Sequence, residues 1–299
     1  MADTAREAGA GRFSGFADLY GQVRPSPPVE LGELLGAYAG GRPALVVDLG
    51  SGTGLSTRWA ATWSDEVVGV EPTDDMRAAA VAAGGEGISY RAGWSHDTGL
   101  PDGCADVVLA VQALHWMDPG PTFAEVRRLL RPGGVFAAVD VDWPPIVGDA
   151  LVEEGWDRVR RRTRTFEARV AQGLTGEALR APVDESSADA AKHSGSDAHV
   201  DRQLSDGVRS WSKTDHLRRM SASGAFRWCR EIAMARHDTG DAARFVGLVR
   251  SQGDYQSLLR HGLDDHDLGI EDLVGLVTAR LGDGARPWRF TYRARCGFT

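Results

Sequence analysis

The sequence is poor in cysteine and contains neither a long hydrophobic run nor an excess of positive charge. Its three cysteines, Cys104, Cys229 and Cys296, are far apart, and none belongs to a CxxC or Cys/His pattern with metal-ligand spacing. We therefore predict free thiols and no metal site. No segment approaches the roughly 18 consecutive apolar residues of a membrane span, and the first stretch, MADTAREAGAGRFSG, lacks the apolar core of an export signal. These absences predict a cytoplasmic protein with no membrane partner.

The charge balance argues against a nucleic-acid-binding protein. The formal net charge is -8, and the Lys and Arg residues are scattered along the chain, so broad electrostatic attraction to nucleic acid is not expected. With 299 residues, of which 42% are hydrophobic, the chain is long enough for one large domain or two modest ones. The expected partner is a small-molecule substrate, and the sequence leaves the oligomeric state open.

Short apolar runs alternate with helical patterns through the first half of the chain, which is typical of an α/β fold with parallel strands. Two later segments alternate apolar and polar residues, as expected for an antiparallel pair at one edge of the sheet. The predicted strands span 44–49, 66–71, 88–92, 105–111 and 135–141, followed by the antiparallel pair 226–237 and 288–298.

Three parts of the chain differ in pattern. Residues 1–145 read as an N-terminal helical segment followed by the core of the sheet, and 226–299 as the strands and helices that complete it. Between them, 146–225 reads as an inserted helical cap that begins after two prolines. Within this cap, 181–199 is rich in Ser, Ala and Asp and poor in large apolar residues, which predicts a mobile surface loop.

The stretch VVDLGSGTGLST places Gly50, Gly52 and Gly54 where the first strand should end and a helix should begin. Glycine at such a turn permits positive φ and lets a ligand approach the backbone. Leu55 stands where a dinucleotide fingerprint has its third glycine, and no Gly-Lys-Ser/Thr follows, so a phosphate-bearing ligand is not indicated. Glu71 ends the second strand and could accept hydrogen bonds from ribose hydroxyls. Together these features predict nucleoside binding.

Five segments in one order resemble the class I S-adenosylmethionine (SAM) dependent methyltransferases, in particular the small-molecule, type 11 and trans-aconitate methyltransferase-like group. The segments are FADLYGQVRPSPP, VVDLGSGTG, VVGVEPTDDM, ISYRAGWSHDTGLPDGCADVVLAVQALHWMDP and EVRRLLRPGGVF. The resemblance implies a Rossmann-like sheet of seven mostly parallel strands, with one antiparallel strand near the edge and an inserted helical cap. It also implies SAM as cofactor and S-adenosylhomocysteine as product.

The same resemblance implies which residues contact SAM. Those expected at its ribose and adenine are Glu71, Pro72, Met76, Gly93, Trp94 and Ser95, and those expected along its ribose and methionine parts are Gly50, Ser51, Gly52, Thr53, Gln112 and Ala113. Asp48 would support the glycine turn, and Tyr20 would close over the cofactor. Many relatives have a carboxylate near position 95, where this chain has GWSH, so Ser95 could replace it through its hydroxyl while Trp94 stacks on the ring.

Three residues are candidates for catalysis. His115 should lie at the sheet edge beside the methyl group, where it could take a proton from an acceptor or could instead shape the pocket. Asp140 and Asp142 share one face of the fifth strand, and a carboxylate there could orient the acceptor, with Asp142 preferred. Tyr20 is the third candidate.

The sequence supports three functions. Methyl transfer from SAM to an oxygen, nitrogen or carbon of a small metabolite is the leading hypothesis, in which the protein aligns the reactants and excludes water. A second hypothesis is a lyase or cyclase that consumes SAM and releases methylthioadenosine, as azetidine-2-carboxylate synthases do. A third is a non-catalytic SAM-binding subunit. The sequence does not identify the acceptor.

Overall fold

Strands and helices alternate in the first half of the chain, as the sequence pattern predicts. The computed structural model describes residues 17–181, 201–203 and 209–299. The first half contains α1 (Ala17–Val23), α2 (Val29–Tyr38), β1 (Leu45–Leu49), α3 (Leu55–Ala61), β2 (Glu66–Val70), α4 (Asp74–Ala83), β3 (Ile88–Arg91), β4 (Ala105–Val111), a 3-10 turn (Leu114–Trp116), α5 (Pro119–Leu129) and β5 (Leu130–Val141).

The second half is mostly helical until its last strands. It contains α6 (Ala150–Ala171), α7 (Gly176–Arg180), β6 (Arg202–Gln203), β7 (Arg209–Ser210), a 3-10 turn (Lys213–Asp215), α8 (His216–Ala222), β8 (Trp228–Gly240), α9 (Ala242–Arg250), α10 (Gly253–Arg260), α11 (Ile270–Leu281) and β9 (Arg286–Phe298). Among the described residues, the short strands β6 and β7 pair with each other and with no other strand. Apart from Ala181, the segment 181–199 that we predict as a surface loop lies outside the described residues.

Seven strands form one sheet in the order β3-β2-β1-β4-β5-β9-β8. Strands β1 to β5 are parallel, whereas β9 runs antiparallel to both of its neighbours, β5 and β8. The predicted seven-stranded, mostly parallel sheet with one antiparallel strand near its edge is therefore confirmed. Because β1 to β5 are parallel, their carboxyl ends meet at one edge of the sheet, where open α/β folds bind ligands.

The fifth strand begins earlier than predicted. Leu130 already pairs with Ala105, and the ladder resumes only where Val135 pairs with Val107, so the register shifts between the two pairs. The intervening RPGG looks like a turn in sequence, and Gly133 does adopt a left-handed φ of +80°. The extra residues are accommodated as an irregularity within the strand rather than as a turn before it.

The sheet buries both of its faces, as parallel sheets do. Alternate residues of the same strands face opposite layers: Val46 and Val107 contact one core, and Val47 and Val108 contact the other. The first core contains apolar residues of α2, α3, α6 and α9 to α11, and the second contains those of α5 and α8. This alternation fixes the register of each strand, because a slip by one residue would exchange the two faces.

The predicted cap contributes its long helix to the same layer as the C-terminal helices. Val152, Trp156, Val159 and Phe166 of α6 are buried in one core together with Phe245 of α9, and α6 contacts both α10 and α11. The division of the chain at residues 145 and 225 stays a prediction. In the part of the chain that the structure describes, no helix is both long and apolar enough to cross a membrane.

Candidate active site

A cavity of about 420 Å³ opens at the carboxyl edge of the sheet. It is lined by residues that follow β1, β2, β4 and β5, together with Tyr20 of α1 and Trp211 next to β7. Twelve of the predicted site residues line it: Tyr20, Gly50, Ser51, Gly52, Thr53, Glu71, Pro72, Met76, Trp94, Ser95, Gln112 and Ala113. The structure therefore places most of the predicted residues around one space, although their roles stay predictions.

The three glycines of the turn are required for different reasons. All three have left-handed φ, of +66° at Gly50, +54° at Gly52 and +76° at Gly54. A Cβ at Gly50 would lie 2.8 Å from the Cβ of Ala113, and one at Gly54 would collide with the hydroxyl of Tyr90, whereas one at Gly52 would meet no protein atom within 4 Å. Since Gly52 lines the cavity, its missing side chain leaves space for a ligand rather than for the protein.

Glu71 connects the end of β2 to the glycine turn. The residue is 7% exposed, and its carboxylate accepts hydrogen bonds from the backbone N–H of Gly52 and of Thr73, each at 2.9 Å. Each oxygen keeps a further lone pair, because a carboxylate has about four acceptor sites. Glu71 can thus hold the turn and still accept hydroxyl groups of a ligand.

Asp48 lies beneath the turn and outside the cavity lining. It is fully buried, and its Oδ2 accepts hydrogen bonds from the hydroxyls of Ser56 at 2.7 Å and Thr57 at 2.8 Å, in the first turn of α3. Burial raises the pKa of this carboxyl from 3.8 to about 6, even though both hydroxyl hydrogen bonds oppose the shift. Asp48 therefore joins β1 to α3 at a cost in desolvation.

The predicted adenine side is lined by Pro72, Met76, Trp94 and Ser95. Gly93 lies behind them, since its backbone packs against Val70 and a Cβ there would come within 2.9 Å of that side chain. The Ser95 hydroxyl shares a hydrogen bond of 2.9 Å with the Thr122 hydroxyl. Trp94 lies in stacked orientation with His96, at 6.3 Å between ring centroids.

Gln112 follows β4 and has a left-handed φ of +54°, which is uncommon for a residue with a side chain. Its Oε1 accepts a hydrogen bond of 2.8 Å from Nζ of Lys213. Its Nε2 is buried and has no acceptor among the described residues. The lysine fixes which way the amide points, because a cation can bind only the oxygen.

Two of the three catalytic candidates lie outside the cavity lining. His115 is buried beneath it, with its ring 4.6 Å from that of Trp116, and its Nδ1 lies 3.9 Å from Oδ1 of Asp140. Burial lowers the pKa of His115 well below its usual value, so the ring is neutral at pH 7. Asp142 forms an ion pair of 2.9 Å with Arg293. Only Tyr20 faces the cavity, and the catalytic roles of all three stay predictions.

A buried charge network lies behind Gln112. Asp140 contacts Nζ of Lys213 at 3.1 Å and Nη1 of Arg295 at 2.7 Å. Burial opposes ionisation of Asp140, but the cations Lys213 and Arg295 help to hold the pKa of its carboxyl far below its usual range. Asp140 also lies within 4.8 Å of ligand atoms of His115 and His216, as a metal site would require. The two cations already neutralise the carboxylate, so this trio does not suit a metal ion.

Known proteins that resemble part of this chain are methyltransferases. A family model described as a methyltransferase domain matches residues 47–138, which contain the glycine turn, Glu71 and Gln112. These residues are therefore similar to a methyltransferase domain. An uncharacterized methyltransferase of Mycobacterium tuberculosis is 34% identical over 157 residues, which cover 50% of this chain and 62% of that protein. The methyltransferase gedG of Aspergillus terreus is 28% identical over 153 residues, covering 49% of this chain and 48% of that one.

A structural relative covers nearly the whole chain. The solved structure of a candidate type II methyltransferase from Anaeromyxobacter dehalogenans matches with a TM-score of 0.58 and 23% identity, covering 92% of this chain and 97% of that one. At this identity the likeness shows the fold alone. The sequence matches span less than two thirds of these curated relatives and about half of this chain.

Three residues of this candidate site were not predicted from the sequence. Arg24 and Trp211 line the cavity, and Lys213 reaches its wall through Gln112. Arg24 belongs to the quoted FADLYGQVRPSPP segment, but one arginine among prolines forms no recognisable pattern. Trp211 and Lys213 lie far along the chain from the core motifs, so no local signal could have placed them here.

Proposed function

We propose that this protein transfers a methyl group from SAM to a small-molecule acceptor bound in the cavity at the sheet edge. The observation that carries the proposal is the pairing of an open backbone position at Gly52 with the buried Glu71 carboxylate, which accepts from the Gly52 N–H at 2.9 Å. A nucleoside with a free ribose needs both features: close approach to a backbone without Cβ and a carboxylate for its hydroxyls. The matched relatives are themselves named methyltransferases.

The polar atoms of the cavity fit a bound nucleoside. The hydroxyl oxygens of Ser51 and Thr53 are buried and have no hydrogen-bond partner among the described residues, and both residues line the cavity. Buried polar groups in proteins are almost always hydrogen-bonded, so these hydroxyls indicate a partner that a ligand would supply. SAM offers amino, hydroxyl and carboxylate groups for this purpose.

In this proposal the residues divide the binding between them. Glu71 accepts from the ribose hydroxyls, while Pro72, Met76 and Trp94 contact the adenine. Ser51, Thr53 and Gln112 face the methionine part. When bound, SAM supplies an activated methyl group on its sulfonium sulfur. The chain then has to align the acceptor and exclude water.

The walls of the cavity are suited to excluding water. Trp116, Trp143, Trp211 and Tyr292 line it together with Tyr20, and large aromatic side chains bury much apolar surface. Trp143 is held in place because it stacks on the buried Trp156, with ring centroids 5.4 Å apart. These rings would position a flat or apolar acceptor beside the methyl group.

The first test is mass spectrometry of the purified protein incubated with SAM, with and without a small-metabolite extract. S-adenosylhomocysteine that forms only with the extract, together with a product fourteen mass units heavier than its acceptor, would support methyl transfer. Methylthioadenosine that forms without the extract would instead identify SAM as the substrate of a cleavage or cyclisation. Binding of SAM without any turnover would point to a non-catalytic subunit.

A second test uses the open position at Gly52. We expect Gly52→Val to abolish S-adenosylhomocysteine binding, measured by isothermal titration calorimetry, because the branched side chain would project into the cavity. Gly148→Val is the matched control: Gly148 has a similar left-handed φ of +78° and open space around it, but it is absent from the cavity lining. Both variants carry the backbone strain, and only Gly52→Val should lose the ligand. Retained affinity would show that the nucleoside binds elsewhere.

A further inference from the structure

Strand β8 forms one edge of the seven-stranded sheet, at the end farthest from β3. It pairs with β9 over all 13 of its residues, from Trp228 to Gly240, without a shift in register. Among the described residues its other side pairs with no strand. Strands in globular proteins usually have about five or six residues, so β8 presents a long row of backbone N–H and C=O groups for pairing with another strand.

The features that protect sheet edges in natural proteins are missing from most of β8. Such edges are short, contain proline or are interrupted by a bulge, whereas β8 is long, has no proline and has a continuous ladder. Apart from the β9 ladder, the described residues offer partners to its backbone only at Thr239, near one end. There the N–H donates to the Asp238 carboxylate at 2.8 Å and the carbonyl accepts from Arg244. The central residues 232–235 are uncharged, so the middle of the edge is open to a partner.

We propose that β8 pairs antiparallel with β8 of a second copy of this chain, so that one sheet continues through both copies. Identical strands that pair in this way are related by a two-fold axis perpendicular to the sheet. Residues opposite each other then point to the same face, which requires the axis to pass through a residue of β8 and not between two residues. An axis at Met234, the middle residue, allows all 13 positions to overlap, and each shift of the axis by one residue shortens the overlap by two.

The charges of β8 are complementary in the register that is centred on Met234. Arg230 then lies opposite Asp238 of the second copy, and Glu231 lies opposite His237. Opposite charges at facing positions of an antiparallel pair are favourable. Because the axis is two-fold, each of these contacts occurs twice in the dimer.

The two neighbouring registers lack this match. An axis at Ala233 would place Arg230 opposite Arg236, and like charges at facing positions are destabilising. An axis at Ala235 would place the charged Asp238 opposite the apolar Ile232. The register with the longest overlap is therefore also the one that the charges favour.

The second copy would supply carboxylates to side chains that lack one. In the described structure Arg230 forms no ion pair, and its Nη1 donates to the Tyr38 hydroxyl at 3.1 Å. His237 is exposed, and no carboxylate of the described residues lies within ion-pair distance of its ring. Trp228, which is 52% exposed, would lie opposite Gly240, where no side chain obstructs the indole. The dimer thus covers an apolar surface and pairs two cationic groups.

The first test is light scattering after size-exclusion chromatography of the full chain over a series of concentrations. We expect a mass of twice 32.1 kDa that falls to that of one chain on dilution. Arg230→Glu and His237→Glu should each raise the Kd of the dimer by roughly tenfold, because each places like charges at two facing positions. His237→Arg should keep or lower this Kd. Arg158→Glu makes the same charge change on the exposed surface of α6 and is the control.

The second test measures the register by disulfide cross-linking with copper phenanthroline. Met234 faces its own counterpart across the axis, and facing Cα atoms of an antiparallel pair lie about 4.5–5.5 Å apart, which is within the range of a disulfide. Met234→Cys should therefore form a covalent dimer. Ile232→Cys faces Arg236 and should cross-link no more than the wild type, whose three cysteines set the background. Circular dichroism checks the fold of every variant.

Four results would overturn the inference. One is a wild type with the mass of a single chain at every concentration, and another is an assembly that keeps growing beyond two copies, since a two-fold pairing is closed. A dimer that Arg158→Glu weakens as much as His237→Glu does, or that neither glutamate substitution in β8 weakens, would use another surface. Cross-linking of Ile232→Cys in preference to Met234→Cys would exclude the register.

Discussion

The carboxyl group of Asp48 should make the stability of this protein fall as the pH rises towards neutrality. Asp48 is fully buried at the end of β1, and one of its oxygens, Oδ1, has no hydrogen-bond partner among the described residues. The other oxygen accepts from Ser56 and Thr57. Replacing Asp48 with Asn keeps the shape and an acceptor for these hydroxyls but removes the titration.

The size of the effect follows from the shift in pKa. Burial raises the pKa of Asp48 from 3.8 to about 6, so the folded state binds this proton more tightly than the unfolded state does. The resulting stability is fully present below pH 3.8 and is lost as the pH rises through about 6. At about 1.4 kcal/mol for each pKa unit, the ionised form costs about 3 kcal/mol at pH 7.

Urea unfolding followed by circular dichroism at pH 4, 5, 6 and 7 measures this effect. The free energy of unfolding of Asp48→Asn, relative to the wild type, should increase by about 2 kcal/mol between pH 4 and pH 7, because a small part of the effect is already lost at pH 4. A constant offset from the new amide leaves this trend intact, and contributions of other titrating groups cancel in the difference. Asp142→Asn, at a half-exposed carboxylate paired with Arg293, serves as the charge-matched control.

A difference between Asp48→Asn and the wild type that stays constant from pH 4 to pH 7 would refute this reasoning. It would mean that the buried carboxyl ionises as readily as an exposed one, so that water or an unseen partner solvates it. A difference that shrinks with rising pH would imply that the protein stabilises the charged form. The same trend in Asp142→Asn would show that the effect comes from overall charge and not from burial.

Two further substitutions test the packing around the site. Gly54→Ala should lower the melting temperature more than Gly84→Ala does, because both positions have left-handed φ but only a Cβ at Gly54 would collide with Tyr90; equal losses would show that Tyr90 moves aside freely. Lys213→Met should lower the free energy of unfolding at pH 7 by about 2 kcal/mol, because the buried Asp140 carboxylate loses one of its cations. The loss is not larger because Lys213 is itself partly exposed, so water screens the ion pair. Urea unfolding of Lys213→Arg should recover most of that loss, and a variant as stable as the wild type would contradict the role of this ion pair.

The fold was predictable from the sequence because its signals are local. The strand at 105–111 is apolar apart from Asp106 and precedes a helical pattern, which predicts a parallel strand. The two late segments alternate apolar and polar residues, which predicts antiparallel strands at the edge of the sheet. The start of β5 was not predictable, since RPGG has the composition of a turn. In the structure Leu130 pairs with Ala105, so this segment belongs to the strand as an irregular part of it.

The site was predictable only where it lies close to the sheet motifs. Gly52 and Glu71 stand at the ends of neighbouring strands, so their contact follows from the parallel topology. Asp140 and Asp142 share a strand face, and the sequence could not show which of them the sheet buries. Register decides it: Asp140 lies within the ladder and contacts Arg295, whereas Asp142 lies beyond its end and pairs with Arg293.

The chemistry of the cavity changes from one end to the other, which bears on the shape of its ligand. At the end of β2, Glu71 offers acceptor oxygens beside an open backbone. After α1, Arg24 offers a charged donor between two rings, and Ser251, which holds it, lies 227 residues away in sequence. Acceptor oxygens therefore lie at one end of the cavity and a cationic side chain at the other, so a ligand that spans the cavity contacts both.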